Sequence, residues 1–400
     1  MPDSQPSRRR LAGRIDGLRP SLYARVLSRL AAYGGEVYPF HIGETWLLPT
    51  AAVQDALREA DDRSVHRYGH PQGIAPLREA LAARLGESGH DVTAADVVVT
   101  HGATHALNLA CQALLDPGDE VLVLSPHWPL INGMVHTAGA RPVEVPFTCA
   151  LRGEARPSVD EILRPHLSER TRAVYVTSPN NPCGTVLTRA ELEGIARFVV
   201  EHDLYVLVDE AYERFFFAER PPPLSSLPGM KERAISVFTF SKSHRMAGLR
   251  VGYAVAPPDV LAAMIKLANI SIYNVSLLMQ RAALAALERC EREVLETAAA
   301  AKEAAGQLSG YLEEIPALRF RRPEGGAYVF ADLGELLGER DCFDLLDACL
   351  DEGVVFAPGA GFGDRYARWG RFCFTAMDPS HLARGAERLL SVLARFAPRG

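Results

Sequence analysis

Residues 173–212 read AVYVTSPNNPCGTVLTRAELEGIARFVVEHDLYVLVDEAY. An apolar, β-branched run at 173–177 leads into a loop constrained by Pro179, Pro182 and Gly184. A helical pattern follows at 188–202, then a second apolar run at 204–208. Strand, helix, strand at this spacing is the building unit of a parallel sheet with helices on its faces. Both runs are apolar on consecutive residues, as strands covered on both faces are. In such sheets ligands bind beyond the carboxyl ends of the strands. The polar residues just after each run are therefore the candidates for chemistry.

The alternation continues outward from this unit. Upstream, strands are expected at 97–100, 120–124 and 142–147, with helices at 103–115 and 130–138. Downstream, 234–240 and 249–256 add two more strands. The result is an α/β domain: a mostly parallel seven-stranded sheet sandwiched by helices. Residues 257–315 are rich in Ala, Leu and Glu and read as helices with no sheet between them. Past Leu318 the pattern changes to strands at 327–332, 354–356 and 371–376 and helices at 341–352 and 378–396, a smaller α+β unit. At the other end, 1–12 reads as a polar, mobile tail, 21–33 as an amphipathic helix and 38–44 as irregular chain. The expected division is an N-terminal arm at 1–50, a large domain at 51–290 and a small domain at 291–400.

Of the 400 residues, 48% are hydrophobic and 23% charged, and the net charge is −6. This balance has no basic excess, which argues against nucleic-acid or membrane-surface partners. No stretch approaches the ~18 apolar residues of a membrane span, and the first residues lack the apolar core of a signal peptide. The seven cysteines are odd in number and form no CxxC pair, so a reducing cytoplasm is the expected location. His101 and His105 stand four apart, as metal ligands on a helix do, but no acidic or further histidine pattern accompanies them and no metal is expected. The basic residues are lopsided: four are lysine (Lys231, Lys242, Lys266, Lys302) and 39 are arginine. Arginine stays protonated, so chemistry that needs a neutral amine has four candidates.

The positions after the strands narrow the choice. His101-Gly102-Ala103-Thr104 follows 97–100 and opens a helix; it is an anion seat of backbone N–H groups or an ordinary strand-to-helix turn. Trp128 follows 120–124 and offers an indole to a flat ring, or simply closes the core edge. Asn181 lies in the constrained loop after 173–177 with a rigidly held amide. Asp209 ends a nearly wholly apolar strand, where a carboxylate needs a partner such as a protonated ring nitrogen or a helix cap. Lys242 directly follows 234–240, whereas Lys266 and Lys302 lie in helical patterns and Lys231 in a polar loop, the usual places of solvated charges. Thr239, Ser241 and Arg250 around it supply hydroxyls and a guanidinium suited to phosphate.

Asn181-Pro182-x-Gly184, Asp209-x-x-Tyr212, Ser241-Lys242 and Arg250-x-Gly252 together resemble the fold-type I pyridoxal-phosphate enzymes, and more narrowly the class I/II aminotransferases of the aspartate aminotransferase superfamily. The likeness runs from about residue 38 to the C-terminus. Arg67-Tyr68-Gly69 through Leu77-Arg78-Glu79, and Ala357-Pro358-Gly359 with Phe362 and Arg371, extend it. It implies pyridoxal 5′-phosphate as cofactor and a ping-pong exchange between an L-amino acid and a 2-oxo acid. It also implies a homodimer with shared active sites, with the arm contributing to the small domain and to the dimer contacts. By the resemblance, Lys242 forms the Schiff base, Asp209 keeps the ring nitrogen protonated, and Tyr212 and Asn181 bond the ring's phenolic oxygen. Trp128 stacks on the ring. Gly102, Ala103, Thr104, Thr239, Ser241 and Arg250 hold the phosphate, and Tyr68 reaches the phosphate of the neighbouring subunit. Arg371 takes the substrate α-carboxylate, helped by Asn181 and the backbone at Gly43.

Three departures bear on the reading. Cys183 stands where the family's loop has Thr, with little effect expected because the backbone carries the loop's shape. Trp46 and Leu47 occupy a segment that lines the entrance in relatives and are expected to shape the pocket. Thr104 stands where an acidic-substrate subgroup has Lys, which removes a distal carboxylate anchor. With His101, His127 and Trp46 nearby, the expected donor is neutral or aromatic. A carbon–sulfur β-lyase, decarboxylase or cyclase on the same scaffold would use nearly the same residues around the cofactor. A regulator that merely uses the fold would want an attached DNA-binding domain, for which ~20 N-terminal residues are too few.

Overall fold

The computed structural model describes residues 11–15, 17–18, 23–59 and 63–396. The expected tail at 1–12 lies almost wholly outside the described residues, and the expected helix at 21–33 is described as Tyr23–Ala32. Seven strands form the central sheet: β1 Val97–Thr100, β2 Glu120–Leu124, β3 Arg141–Val145, β4 Thr171–Thr177, β5 Tyr205–Asp209, β6 Ala234–Thr239 and β7 Gly252–Val255. Their spatial order is β1-β7-β6-β5-β4-β2-β3. Every neighbouring pair is parallel except those of β7, which runs antiparallel to both β1 and β6. β1, β2, β6 and β7 are buried along their whole length, which is why they read as unbroken apolar runs.

One face of the sheet is covered by helices Gly102–Leu114, Leu130–Thr137 and Pro258–Ser271, which enclose Val98, Ala106, Tyr175, Leu207 and Met264. The other is covered by Val159–Leu163 and Arg189–Glu201 over Leu122, Val174, Phe198 and Val206. The helix Arg189–Glu201 shows why the sequence folds this way locally. Thr188 accepts from the Glu191 N–H while the Glu191 carboxylate accepts from the Thr188 N–H, so two otherwise unpaired donors are satisfied at its start. Past its end, Asp203 takes a left-handed φ of 52° and turns the chain into β5.

A second sheet of four antiparallel strands contains β8 Arg319–Phe320, β9 Tyr328–Asp332, β10 Ala357–Pro358 and β11 Trp369–Cys373, in the order β10-β11-β9-β8. It shares a core of Leu308, Leu345, Phe372, Phe374 and Leu389 with helices Glu291–Glu313, Cys342–Asp351 and Pro379–Phe396. Tyr38–Pro39 pairs with Val354–Val355, so chain expected to be irregular is a short strand that ties the N-terminal segment to this core.

Two departures from the expected strand bounds bear on the site. β7 begins at Gly252 rather than at 249, because Ala247–Leu249 form a 3-10 turn and Arg250 takes a left-handed φ of 55°. β11 covers 369–373 rather than 371–376, so Arg371 lies inside the strand and not at its start. No helix among the described residues is long and apolar enough to cross a membrane.

Candidate active site

β1, β2, β4, β5 and β6 share one direction, so the loops at their carboxyl ends meet over one edge of the sheet. There they enclose a cavity, closed on the far side by Gly43, Tyr328 and Arg371. The central sheet contributes Ala103 and Thr104 after β1, Trp128 after β2 and Asn181 after β4. It also contributes Asp209 and Tyr212 from β5 and its loop, and Thr239, Ser241, Lys242 and Arg250 from β6 and the turn into β7. Of the residues to which the resemblance gives a role in holding cofactor or substrate, Gly102 and Tyr68 do not line this cavity.

Lys242 is the first element of the site's chemistry. Its ammonium donates to the Gly43 carbonyl and lies 5.9 Å from the centre of the Tyr212 ring. Burial, with Arg371 and Arg250 adding to it, pulls its pKa down to about 8. Desolvation disfavours the ammonium, so the free amine becomes available at a lower pH than for an exposed lysine.

One wall is an anion cradle. Thr239 Oγ1 donates to Ser241 Oγ at 2.8 Å and accepts from the Ser241 N–H at 3.1 Å. Arg250 Nη1 donates to Ser241 Oγ at 3.3 Å and to Ala247 O at 2.8 Å. The left-handed backbone at Arg250 turns its guanidinium back to this cradle, beside the N-terminus of helix Gly102–Leu114. Glycine is required at two adjoining points. A Cβ at Gly102 would stand 2.8 Å from Arg250 Nη2, and one at Gly252 would stand 2.5 Å from Phe238 O and 2.6 Å from Gly102 Cα. Gly102 thus makes room for the guanidinium from just outside the cavity.

At the opposite end Asp209 is buried at the tip of β5. Its Oδ1 accepts from the Ala211 N–H at 3.1 Å and its Oδ2 from the Tyr175 hydroxyl at 2.9 Å. Burial raises its pKa, and the Tyr175 and Ala211 hydrogen bonds oppose that rise. Tyr212 shares a 2.7 Å hydrogen bond with the hydroxyl of Tyr328. Burial and the neighbouring Tyr328 hold the Tyr212 phenol well above the usual tyrosine range.

Arg371 is 4% exposed. Its Nη1 donates to Asn181 Oδ1 at 2.9 Å and its Nη2 to the His41 carbonyl at 2.7 Å. Its guanidinium carbon lies 4.1 Å from the Tyr328 ring centre and 4.9 Å from that of Phe362, so the charge is held between two aromatic faces. The loop that carries Asn181 is shaped by backbone bonds, from Asn180 N to Thr185 O and from Gly184 N to Asn180 O, both 2.9 Å. Cys183 adds its N–H and thiol to Asn180 Oδ1, at 3.1 and 3.0 Å, and the thiol also meets Thr185 Oγ1 at 3.2 Å.

Other residues singled out in the sequence lie elsewhere. Tyr68 is 85% exposed and packs edge-to-face on Tyr273 at 5.0 Å, in a second cavity that it shares with Arg67, His101 and Asn274. Trp46 and Leu47 do not line the first cavity, where Gly43 alone represents their segment. His127 is buried and turned toward Asn132, 3.0 Å away, so it does not face the cavity. Conversely, Leu107, Ala211 and Tyr328 line the cavity and were not expected there. Leu107 repeats from Ala103 and Thr104 at helical spacing, a signal that could have placed it on the same face.

A buried amine that gives up its proton near pH 8 is built to attack a carbonyl carbon. The fold and the site thus define an enzyme of amine–carbonyl exchange. The family model described as aminotransferase class I and II matches residues 36–389, and the chain belongs to that family. The aspartate/prephenate aminotransferase of Thermus thermophilus is 34% identical over 397 residues, covering 97% of this chain and 100% of that protein. The structure of the aspartate aminotransferase from Thermus thermophilus with maleate superposes with a TM-score of 0.87 at 31% identity, covering 96% of this chain and 100% of that one. The aromatic aminotransferase of Pyrococcus horikoshii gives 0.84 at 32% identity, with 92% and 99% covered. The enzyme is a transaminase that moves an amino group from an amino acid to a 2-oxo acid.

Proposed function

We propose that the cavity holds pyridoxal 5′-phosphate on Lys242 and accepts an amino donor with a neutral, by preference aromatic, side chain. The observation that carries the donor reading is the inventory of cations lining the cavity. They are Lys242, Arg250 and Arg371, and each already has a task. Lys242 is the reactive amine, Arg250 joins the anion cradle, and Arg371 is the carboxylate fork. Among the described residues of this one chain none remains for a second, distal carboxylate, and Thr104 is neutral. Leu107, Trp128, Tyr212 and Tyr328 give the cavity apolar and aromatic surface. The relatives are named as aspartate/prephenate and aromatic aminotransferases, so the family admits this choice.

The residues fit the cofactor. The Thr239–Ser241–Arg250 cradle at a helix N-terminus suits a phosphate dianion. Trp128 offers a ring face, and Asp209 offers a buried acceptor at the other end. Once bound, pyridoxal phosphate supplies an aldehyde that condenses with amines and a protonated ring that accepts the electron pair released at the substrate Cα. The protein's residues do the rest. Asp209 keeps the ring nitrogen protonated. Arg371 forks onto the substrate α-carboxylate and fixes Cα beside Lys242. Asn181, whose Oδ1 is held by Arg371, keeps its amide N–H groups for the ring's phenolic oxygen, together with Tyr212. Lys242 Nζ, neutral once released, takes the proton from Cα. Tyr68 stands exposed, and in a homodimer it would complete the partner's phosphate site.

Two tests follow. Steady-state turnover of phenylalanine, methionine and aspartate with 2-oxoglutarate should rank aspartate last in kcat/KM; a clear aspartate preference refutes the donor reading. The rate at which apoenzyme captures the aldehyde cofactor should rise with pH with a midpoint at about 8, where Lys242 is half deprotonated, and then level off. An ordinary exposed lysine would keep gaining to about 10.4, and that profile would contradict the assignment.

A further inference from the structure

Tyr175 belongs to β4, behind the cavity, and is fully buried. Its place in the sheet gives its hydroxyl a defined target. In the β4–β5 register Tyr175 pairs with Leu207 and Thr177 with Asp209. Residues two apart on a strand share a face, and paired residues of parallel strands do so too. Tyr175, Thr177, Leu207 and Asp209 therefore lie on one side, that of helix Gly102–Leu114. Tyr175 stands two residues, about 6.6 Å, behind Asp209 along the strand direction. Only a long side chain with a terminal donor spans that step, and the Tyr175 hydroxyl meets Asp209 Oδ2 at 2.9 Å. Thr177, level with Asp209, donates instead to the Pro179 carbonyl. On the other flank β6 sets Ile235 and Val237 opposite Leu207 and Asp209, with no polar group to offer.

We propose that Tyr175 is a positioning residue for the cofactor: its hydroxyl fixes the Asp209 carboxylate, ionised and correctly turned, to receive the protonated ring nitrogen. The inference rests on the proposed cofactor reading and deepens it. In so dry a place the carboxylate's other hydrogen bond comes from the Ala211 N–H, with the Lys242 charge adding to it, to offset its lost hydration. A hydrogen bond to the charged form favours that form, in line with the opposing effects of burial and Tyr175 on Asp209. Oδ2 keeps a lone pair for the ring N–H, because Tyr175 occupies only one. Tyr175 touches neither substrate nor the reacting atoms and acts through Asp209.

The test is Tyr175→Phe, which deletes one oxygen and keeps the packing. Apoenzyme is titrated with pyridoxal phosphate and, in parallel, with an analogue carrying carbon in place of the ring nitrogen. Hydrogen bonds to a charged group suggest a loss of affinity for pyridoxal phosphate of about tenfold to a hundredfold. Affinity for the carbon analogue should not change. kcat should fall while the KM for the amino donor stays put. In a D209A background, Tyr175→Phe should cost no further cofactor affinity. Unchanged pyridoxal-phosphate affinity, or an equal loss for both ligands, overturns the proposal. If cofactor is captured normally by neither wild type nor variant, the cofactor reading itself has failed. Should Tyr175→Phe fold poorly, the D209A pair decides: a further loss there marks a packing role and refutes the assignment.

Discussion

Replacing Lys242 by alanine should leave a folded protein whose turnover is lower by at least about 10²–10⁴, the range for a lost general acid–base group. The fall is expected because Nζ has two jobs, holding the cofactor and moving the Cα proton, and no described neighbour can take over either. Of the charged or titratable groups whose fields reach it, Cys373 and Glu44 do not line the cavity, Arg371 and Arg250 are not bases, and Asp209 is engaged by Tyr175 and the Ala211 N–H. Folding should survive. Burial lowers the lysine's pKa from its unfolded value of about 10.4 to about 8, so the charged form is disfavoured in the folded state. This stability cost is fully present below pH 8 and fades as pH rises toward the unfolded value. Alanine removes it, so thermal unfolding at pH 7 should show no large loss. A K242A protein that turns over at near-normal rate would remove Lys242 from the mechanism.

Asp209→Ala carries the second large effect, a fall in kcat of roughly 10²–10³, typical of removing one preorganised electrostatic partner of the transition state. The variant should still load cofactor through Lys242 and the Thr239–Ser241–Arg250 cradle, which lie at the other end of the cavity. What it should lose is the stabilisation of negative charge at Cα, so exchange of the Cα proton of a bound amino acid with deuterium in D₂O should slow in step with turnover. The buried Tyr175 hydroxyl would lose its acceptor, at about 1–3 kcal/mol. The relief of an expensive buried carboxylate offsets part of that. Near-normal exchange would refute the role of Asp209 as holder of the ring proton.

The sheet and most of the site were legible because each rests on a local pattern. Fully covered strands are unbroken apolar runs, and the polar residue that ends each run is where a parallel sheet puts its chemistry. Asp209, Asn181 and Lys242 could be read in that way. Arg250 illustrates what local pattern misses. Leu249 and Val251 look like strand, yet the backbone at Arg250 is left-handed, and its guanidinium reaches Ser241. Phe372 and Phe374 likewise made 371–376 look like one strand, although pairing with β9 ends at Cys373. Tyr175 and Tyr328 are buried aromatics within strands, indistinguishable in sequence from core residues. Their hydroxyls acquire partners only through register between distant strands and contact between the two sheets' residues. Trp46 failed for the opposite reason: a large side chain in a segment near the site need not face it, and at 45% exposed it does not line the cavity.

The central claim, that one lysine of four carries the chemistry, is tested most directly by borohydride reduction of the cofactor-loaded enzyme followed by peptide mapping. The account predicts a single stable adduct on Lys242 and none on Lys231, Lys266 or Lys302. An adduct on any of those three in its place, or no adduct at all, would contradict it.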